Sequence, residues 1–284
     1  MIPAQFDYVA PATVEEAVAA LSEAGEDAKV LAGGQSLLPV LRMRMADPQL
    51  VVDLGRIAAL RGVRDDGDAV VIGSMTTHHD VMRDPLVQQH LPLIALATRT
   101  VADPQVRHRG TFGGSLAHAD PAGDLPAPAL VLDAEMVLAG PSGQRSVPAA
   151  EFFVDYFTTA LEPGELLVEV RMPKWTGWRA HYEKFNRVAQ AWSIVGVAAA
   201  VRVDDGTIAE ARIGLTNMGP TPIRAAGVEQ ALVGQPATAD AIRAAARHAA
   251  EGTSPTADSS ADVDYRQHLA EVLTGRAVLA AAGV

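Results

Sequence analysis

Two glycine-rich segments constrain this 284-residue chain more than any other feature: Ala32-Gly33-Gly34-Gln35-Ser36-Leu37-Leu38-Pro39 and Gly110-Thr111-Phe112-Gly113-Gly114-Ser115. Paired glycines let the backbone reach positive φ and approach a ligand closely. Successive N–H groups can then face an anion, with Ser36, Thr111 or Ser115 adding a hydroxyl. Either segment alone also reads as a tight turn; two together, both rich in hydroxyls, favour a phosphate cradle. No two glycines are separated by a single residue and no lysine follows a glycine. That excludes the G-x-G-x-x-G dinucleotide fingerprint and the Walker A loop, so a dinucleotide bound here sits on a different fold.

Composition narrows the chemistry. The chain has no cysteine, so disulfides, thiolate nucleophiles and the usual ligands of an iron–sulfur cluster are absent from it. A formal charge of −11 argues against general nucleic-acid binding and requires local donors to attract any diphosphate. Apolar stretches such as residues 195–201 fall far short of the ~20 residues of a membrane span, and the N-terminal residues do not read as a secretion signal. A cytoplasmic protein is expected.

The patterning predicts an α+β chain. Thr13 caps a helix over 13–25, a strand at 28–32 runs into Gly33-Gly34, and a second strand covers 50–54, a βαβ-like start. Strands are expected at 69–73, 135–139 and 165–172. Helices are expected after Thr76 or Thr77, near 91–101 and over 152–161. Residues 182–187, 193–203 and 207–216 read as three strands, the last two joined by the hairpin signal Asp204-Asp205-Gly206, with Ala-rich helices beyond Pro222. The Asp120, Asp124 and His118 group and the His78-His79 pair are weak metal candidates. Arg107-His108-Arg109 could orient the second loop or meet a partner. No hydrolase motif is present.

The strings AGGQSLLP (32–39) and TFGGSLAHADPAGD (111–124), with the later ELLVEVRMP and YEKFNR, resemble the medium, FAD-binding subunit of aerobic carbon monoxide dehydrogenases and related bacterial molybdenum hydroxylases. These are themselves similar to the flavin domain of xanthine dehydrogenase. The resemblance spans nearly the whole chain. It implies a two-subdomain, vanillyl-alcohol-oxidase-like FAD domain over 1–173, with subdomains at about 1–55 and 56–173. A smaller α/β domain with a three-stranded antiparallel sheet and helices follows over 174–284.

Carried across residue by residue, the resemblance implies FAD contacts from Ala32, Gly33, Gly34, Gln35 and Ser36, and from Thr111, Phe112, Gly113, Gly114 and Ser115. Asp124 would lie against the flavin or its ribityl chain, and Lys184 near the isoalloxazine. Val101, Ala102 and Leu167 would pack on the flavin through backbone or apolar atoms. Trp192 stands where relatives carry an aromatic residue against the ring, but Ala191 replaces their preceding Asp, which leaves ring contact and core packing both open. The resemblance also implies partners: a large subunit with a molybdopterin cofactor and a small one with two two-iron two-sulfur clusters, as a dimer of heterotrimers. Electrons would pass to a quinone or other acceptor, at most with peripheral attachment to the inner face of the cell membrane. Carbon monoxide is the nominal substrate, with aldehydes, xanthine or N-heterocycles as alternatives. An autonomous FAD-dependent reductase and a subunit that has lost its flavin are the readings from other classes.

Overall fold

A computed structural model describes residues 2–284. Its first unit is a parallel sheet. Strand β1 (Asp7–Val9) precedes helix α1 (Val14–Ala24), strand β2 (Ala28–Leu31), helix α2 (Leu37–Arg42) and strand β3 (Leu50–Asp53). The sheet order is β1-β3-β2 with both pairings parallel, and Leu31 stands opposite Asp53. Helix α1 begins where expected: the Thr13 hydroxyl accepts from the Glu16 N–H at 3.2 Å, and Gly25 ends it at φ 61°. Ala17, Val18 and Leu21 bury its inner face in a small core with Val52 and Leu54.

The middle of the chain builds a five-stranded antiparallel sheet flanked by short helices. In chain order these are β4 (Val63–Asp66), β5 (Ala69–Gly73), α3 (His78–Val81), α4 (Pro85–His90), α5 (Pro92–Thr100), α6 (Pro104–Arg107), α7 (Phe112–His118) and α8 (Pro126–Val131). There follow β6 (Glu135–Gly140), β7 (Gly143–Pro148), α9 (Ala149–Phe152), β8 (Phe153–Asp155), β9 (Thr158–Thr159) and β10 (Leu166–Pro173). The order is β4-β5-β10-β6-β7, so the most sequence-distant strand, β10, lies in the centre. A register shift between Leu167 and Glu169 bends β10. Beside it the Val168 carbonyl accepts the Ser74 N–H, which holds Ser74 against the second glycine segment.

The expected helix over 152–161 is mostly absent. Only the turn α9 is helical, and the chain then forms the β8–β9 hairpin with Phe157 at φ 52°. The run Phe152-Phe153-Val154 and Thr158-Thr159 is aromatic and β-branched, and such side chains lose rotamer freedom in a helix and pack well on a pleated surface.

The C-terminal part carries the three expected long strands, β11 (Arg179–Phe185), β12 (Val195–Asp204) and β13 (Thr207–Thr216), all antiparallel, with the two-residue β14 (Ile223–Arg224) extending the sheet. Asp205 and Gly206 take φ of 48° and 74° in the β12–β13 turn, the conformation that Asp-Gly signals. Helices α10 (Ala226–Leu232), α11 (Ala239–Ala246) and α12 (Val263–Ala282) complete it; α12 packs along β11 and β12. The opposite face of β11 and β12 contributes Tyr182, Ala198 and Ala200 to the central core, alongside Phe112, Leu116 and Leu125. This places β11 side chains next to the glycine segments. No helix among the described residues is long and apolar enough to cross a membrane.

Candidate cofactor site

The two glycine segments touch. A Cβ on Gly33 would lie 2.4 Å from the Arg109 carbonyl oxygen and 2.7 Å from the Gly110 Cα, so only glycine permits this approach. Between them opens a cleft of about 230 Å³ lined by Ala32, Gly33, Gly34 and Thr111. Asp53, Arg61, Thr77, His108 and Arg109 complete the wall.

The segments contribute differently. Among the described residues, the N–H groups of Gly33, Gly34, Gln35 and Ser36 meet no protein acceptor. Four successive free amides, with Gly34 at φ 76° and Gly33 and Gly34 lining the cleft, make up a run of donors suited to an anion nest. The Gln35 side chain folds back to donate to the Gly33 carbonyl at 3.3 Å. The second segment departs from the expectation of a donor loop. Phe112 N–H donates to Thr76 O, Gly113 N–H to Ser74 O, Gly114 N–H to the Thr111 hydroxyl and Ser115 N–H to Thr111 O. Those amides open α7 and pin it to residues 74–76, so they are spent on the fold. Gly113 is required there, since its Cβ would fall 2.4 Å from that of Ser74. Phe112 is fully buried in the core. What this segment offers the cleft is Thr111, with the preceding Arg109 beside it.

A second grouping lies where β11 meets the end of α5. Asp124 is buried and accepts from Lys184 Nζ at 2.7 Å, Ser193 Oγ at 2.8 Å and the Tyr182 hydroxyl at 2.9 Å. Burial pushes the Asp124 carboxyl upward, against the charge and hydrogen bond of Lys184 and the two hydroxyl donors. Burial and the Asp124 charge drive the Tyr182 phenol well above its ordinary value, so it stays a donor. Lys184 also donates to the Thr100 carbonyl at 3.1 Å. Its side chain is 5% exposed and that of Asp124 3%. Lys184 is therefore a buried ion-pair partner of Asp124.

Val101 and Ala102 follow Thr100 directly, and both their carbonyls accept from Arg107 Nη1, at 2.7 and 3.0 Å. Leu167 is buried on β10 in the central core with Phe112 and Leu116, behind the site. Trp192 is 52% exposed, which removes its reading as core. His118 lies against Phe157, Asp120 caps the Ala122 N–H at 2.9 Å, and His79 stacks on His108 with centroids 3.9 Å apart. His78 lies beneath Gly110, and burial, with Arg107 nearby, holds its imidazole down at about 4.

Sequence reasoning missed Asp53, Arg61, Thr77, Tyr182 and Ser193. The end of β3, the 3-10 turns after it and the start of α3 supply the first three, and nothing local in the sequence marks them. The Arg107-His108-Arg109 cluster was the one visible signal, and it serves both groupings.

The nest, the Thr111 hydroxyl and Arg61 and Arg109, which meet no carboxylate among the described residues, suit a diphosphate; within those residues Arg61 donates to the Gly55 and Met75 carbonyls. The comparisons agree. Residues 4–175 match the model of the FAD binding domain in molybdopterin dehydrogenase, and residues 180–281 that of the CO dehydrogenase flavoprotein C-terminal domain. The chain is 45% identical to the carbon monoxide dehydrogenase medium chain of Hydrogenophaga pseudoflava, over 99% of this chain and 98% of that one. It is 37% identical to the subunit alpha of the 6-hydroxypseudooxynicotine dehydrogenase complex of Paenarthrobacter nicotinovorans, over 97% and 94%. The solved carbon monoxide dehydrogenase from Hydrogenophaga pseudoflava lacking the Mo-pyranopterin moiety superposes with a TM-score of 0.97, covering 100% of this chain and 99% of that one at 45% identity. The chain belongs to the FAD-binding subunits of the molybdopterin dehydrogenases, as an oxidoreductase flavoprotein of the molybdenum hydroxylase family.

Proposed function

We propose that this chain is the electron relay of a carbon monoxide dehydrogenase. In this reading it accepts electrons from the two-iron two-sulfur clusters of a small subunit, ultimately from a molybdopterin-bearing large subunit, and delivers them to a quinone or other acceptor. The observation that carries it is the diphosphate nest between Gly33 and Arg109, on a chain that has no cysteine with which to hold a cluster of its own. Bound FAD supplies two-electron storage between one-electron donors and the final acceptor.

The rest is the work of the protein. Gly33 to Ser36 amides, the Thr111 hydroxyl, Arg61 and Arg109 bind and neutralise the diphosphate. The Thr100 to Ala102 backbone orients the flavin end, and Asp124 and Lys184 hold that backbone from behind. The assembly is a dimer of heterotrimers working in the cytoplasm or at the inner face of the cell membrane. We take the FAD-binding part to end near Pro173, where β10 finishes; family models that match residues 4–175 and 180–281 support a division in this stretch.

Carbon monoxide is favoured as substrate by the 45% identity to a carbon monoxide dehydrogenase chain; the 37% identity to a nicotine-derivative dehydrogenase subunit supports the second reading, another molybdenum hydroxylase. Gentle purification from the native host, with analysis of co-purifying chains, metals and flavin and a substrate panel, tests it. FAD with molybdenum, iron, two further chains and carbon monoxide oxidation is expected. A single yellow chain, active alone, contradicts it.

A further inference from the structure

Three consecutive carbonyls, of Thr100, Val101 and Ala102, are each held by a cation. Lys184 Nζ donates to the first at 3.1 Å, and Arg107 Nη1 to the second at 2.7 Å and the third at 3.0 Å. The turn they bind is strained. Ala102 sits at φ 40°, a left-handed conformation that an L-residue with a Cβ adopts only at a cost. Among the described residues, the N–H groups of Ala102 and Asp103 meet no protein acceptor. Asp103 caps α6 through the Val106 N–H at 2.9 Å, which fixes the C-terminal side of the turn.

We propose that Lys184 and Arg107 form a carbonyl clamp, making Arg107 a positioning residue for the flavin. The clamp turns three acceptors away from the cofactor and leaves the Ala102 and Asp103 amides as donors toward the electron-rich edge of the isoalloxazine. Arg107 suits the task because one fixed guanidinium reaches two adjacent carbonyls, which a lysine ammonium on a flexible stem does less well. Its Nε is buried without a partner among the described residues, so its burial is not explained by satisfying the side chain itself. Lys184 acts by the same route. Its charge reaches the ring through the Thr100 backbone, since its ammonium is already committed to Asp124 and Thr100. The inference rests on the placement of the flavin end at residues 100–102.

The test uses the full chain with Arg107→Met, Arg107→Lys, Ala102→Gly and the combined Arg107→Met/Ala102→Gly. Three quantities are read: amide exchange at residues 101–103 in the flavin-free chain, FAD affinity by fluorescence quenching, and the midpoint potential of the bound flavin. Arg107→Met is expected to speed exchange at the turn, weaken FAD by about tenfold or more, and shift the potential. Arg107→Lys should keep part of each. Ala102→Gly in the Met background should restore much of the affinity, because glycine takes the left-handed φ without restraint. Unchanged exchange in Arg107→Met and Arg107→Lys overturns the clamp. Faster exchange with unaltered affinity and potential shows that the flavin lies elsewhere, and overturns the positioning role.

Discussion

Replacing Lys184 with Met probes the buried ion pair of the site. At 2.7 Å from Asp124, two unit charges attract by about 6 kcal/mol at an effective dielectric constant of about 20. Each ion has also given up several kcal/mol of hydration, so the net worth of the pair is small while the loss of one partner is expensive. Lys184→Met strands the Asp124 carboxylate with only Ser193 and Tyr182 as donors. Unfolding by urea at pH 8 should show a loss of about 3–5 kcal/mol. Asp124→Asn in the Met background removes the stranded charge and should recover about 2 kcal/mol or more of it, a coupling far above the ~0.5 kcal/mol of independent sites.

The pH dependence has a defined sign. Burial already raises the Asp124 carboxyl, and removing Lys184 raises it further. A carboxyl with a raised folded pKa is best tolerated when protonated, so folding is penalised as pH rises through that value. The defect of Lys184→Met should therefore shrink as the pH is lowered from 8 toward 5. Additive single effects, or a defect that grows on acidification, would refute the buried-pair reasoning.

Other predictions follow from single contacts. Gly33→Ala places a methyl 2.4 Å from the Arg109 carbonyl; forcing the segments apart should cost FAD affinity about tenfold or more and lower the melting temperature of the flavin-free chain as well. His78, held at about 4, is neutral in the fold and protonated in the unfolded chain below its ordinary value, so stability is present above about pH 6.5 and lost as pH falls toward 4. That interval is worth about 3 kcal/mol at 1.36 kcal/mol per unit, and His78→Gln should flatten this limb of the urea-versus-pH curve. Thr111→Val removes the cap on the Gly114 N–H and should destabilise the chain by about 1 kcal/mol, while also weakening FAD.

Elements with strong local signals were legible. Thr13 and Gly25 bound α1, the apolar runs of β5, β10 and β12 announced central strands, and Asp204-Asp205-Gly206 marked a hairpin. The strands β1, β4 and β7 were not, because their side chains are mostly exposed or acidic at sheet edges and carry no alternation. The glycine segments were visible as a pair, but not that the amides of one are free and those of the other are tied to residues 74–76. That difference is set by β5 and the bend in β10. Asp124 and Lys184 stood out separately; their union depends on β11 packing against α5, a contact across sixty positions that only the folded sheet creates. Asp53 and Arg61 enter the cleft from the end of β3 and from the turn after it, with no motif, since a site assembled from several segments needs only one side chain from each.

The account is tested most directly by anaerobic rapid mixing of substrate with the purified multi-subunit assembly and, separately, with the FAD-loaded chain alone, following the visible flavin band. The relay predicts bleaching in the assembly after the iron–sulfur absorbance changes, and none in the isolated chain; equally fast bleaching of the isolated chain by substrate would contradict it.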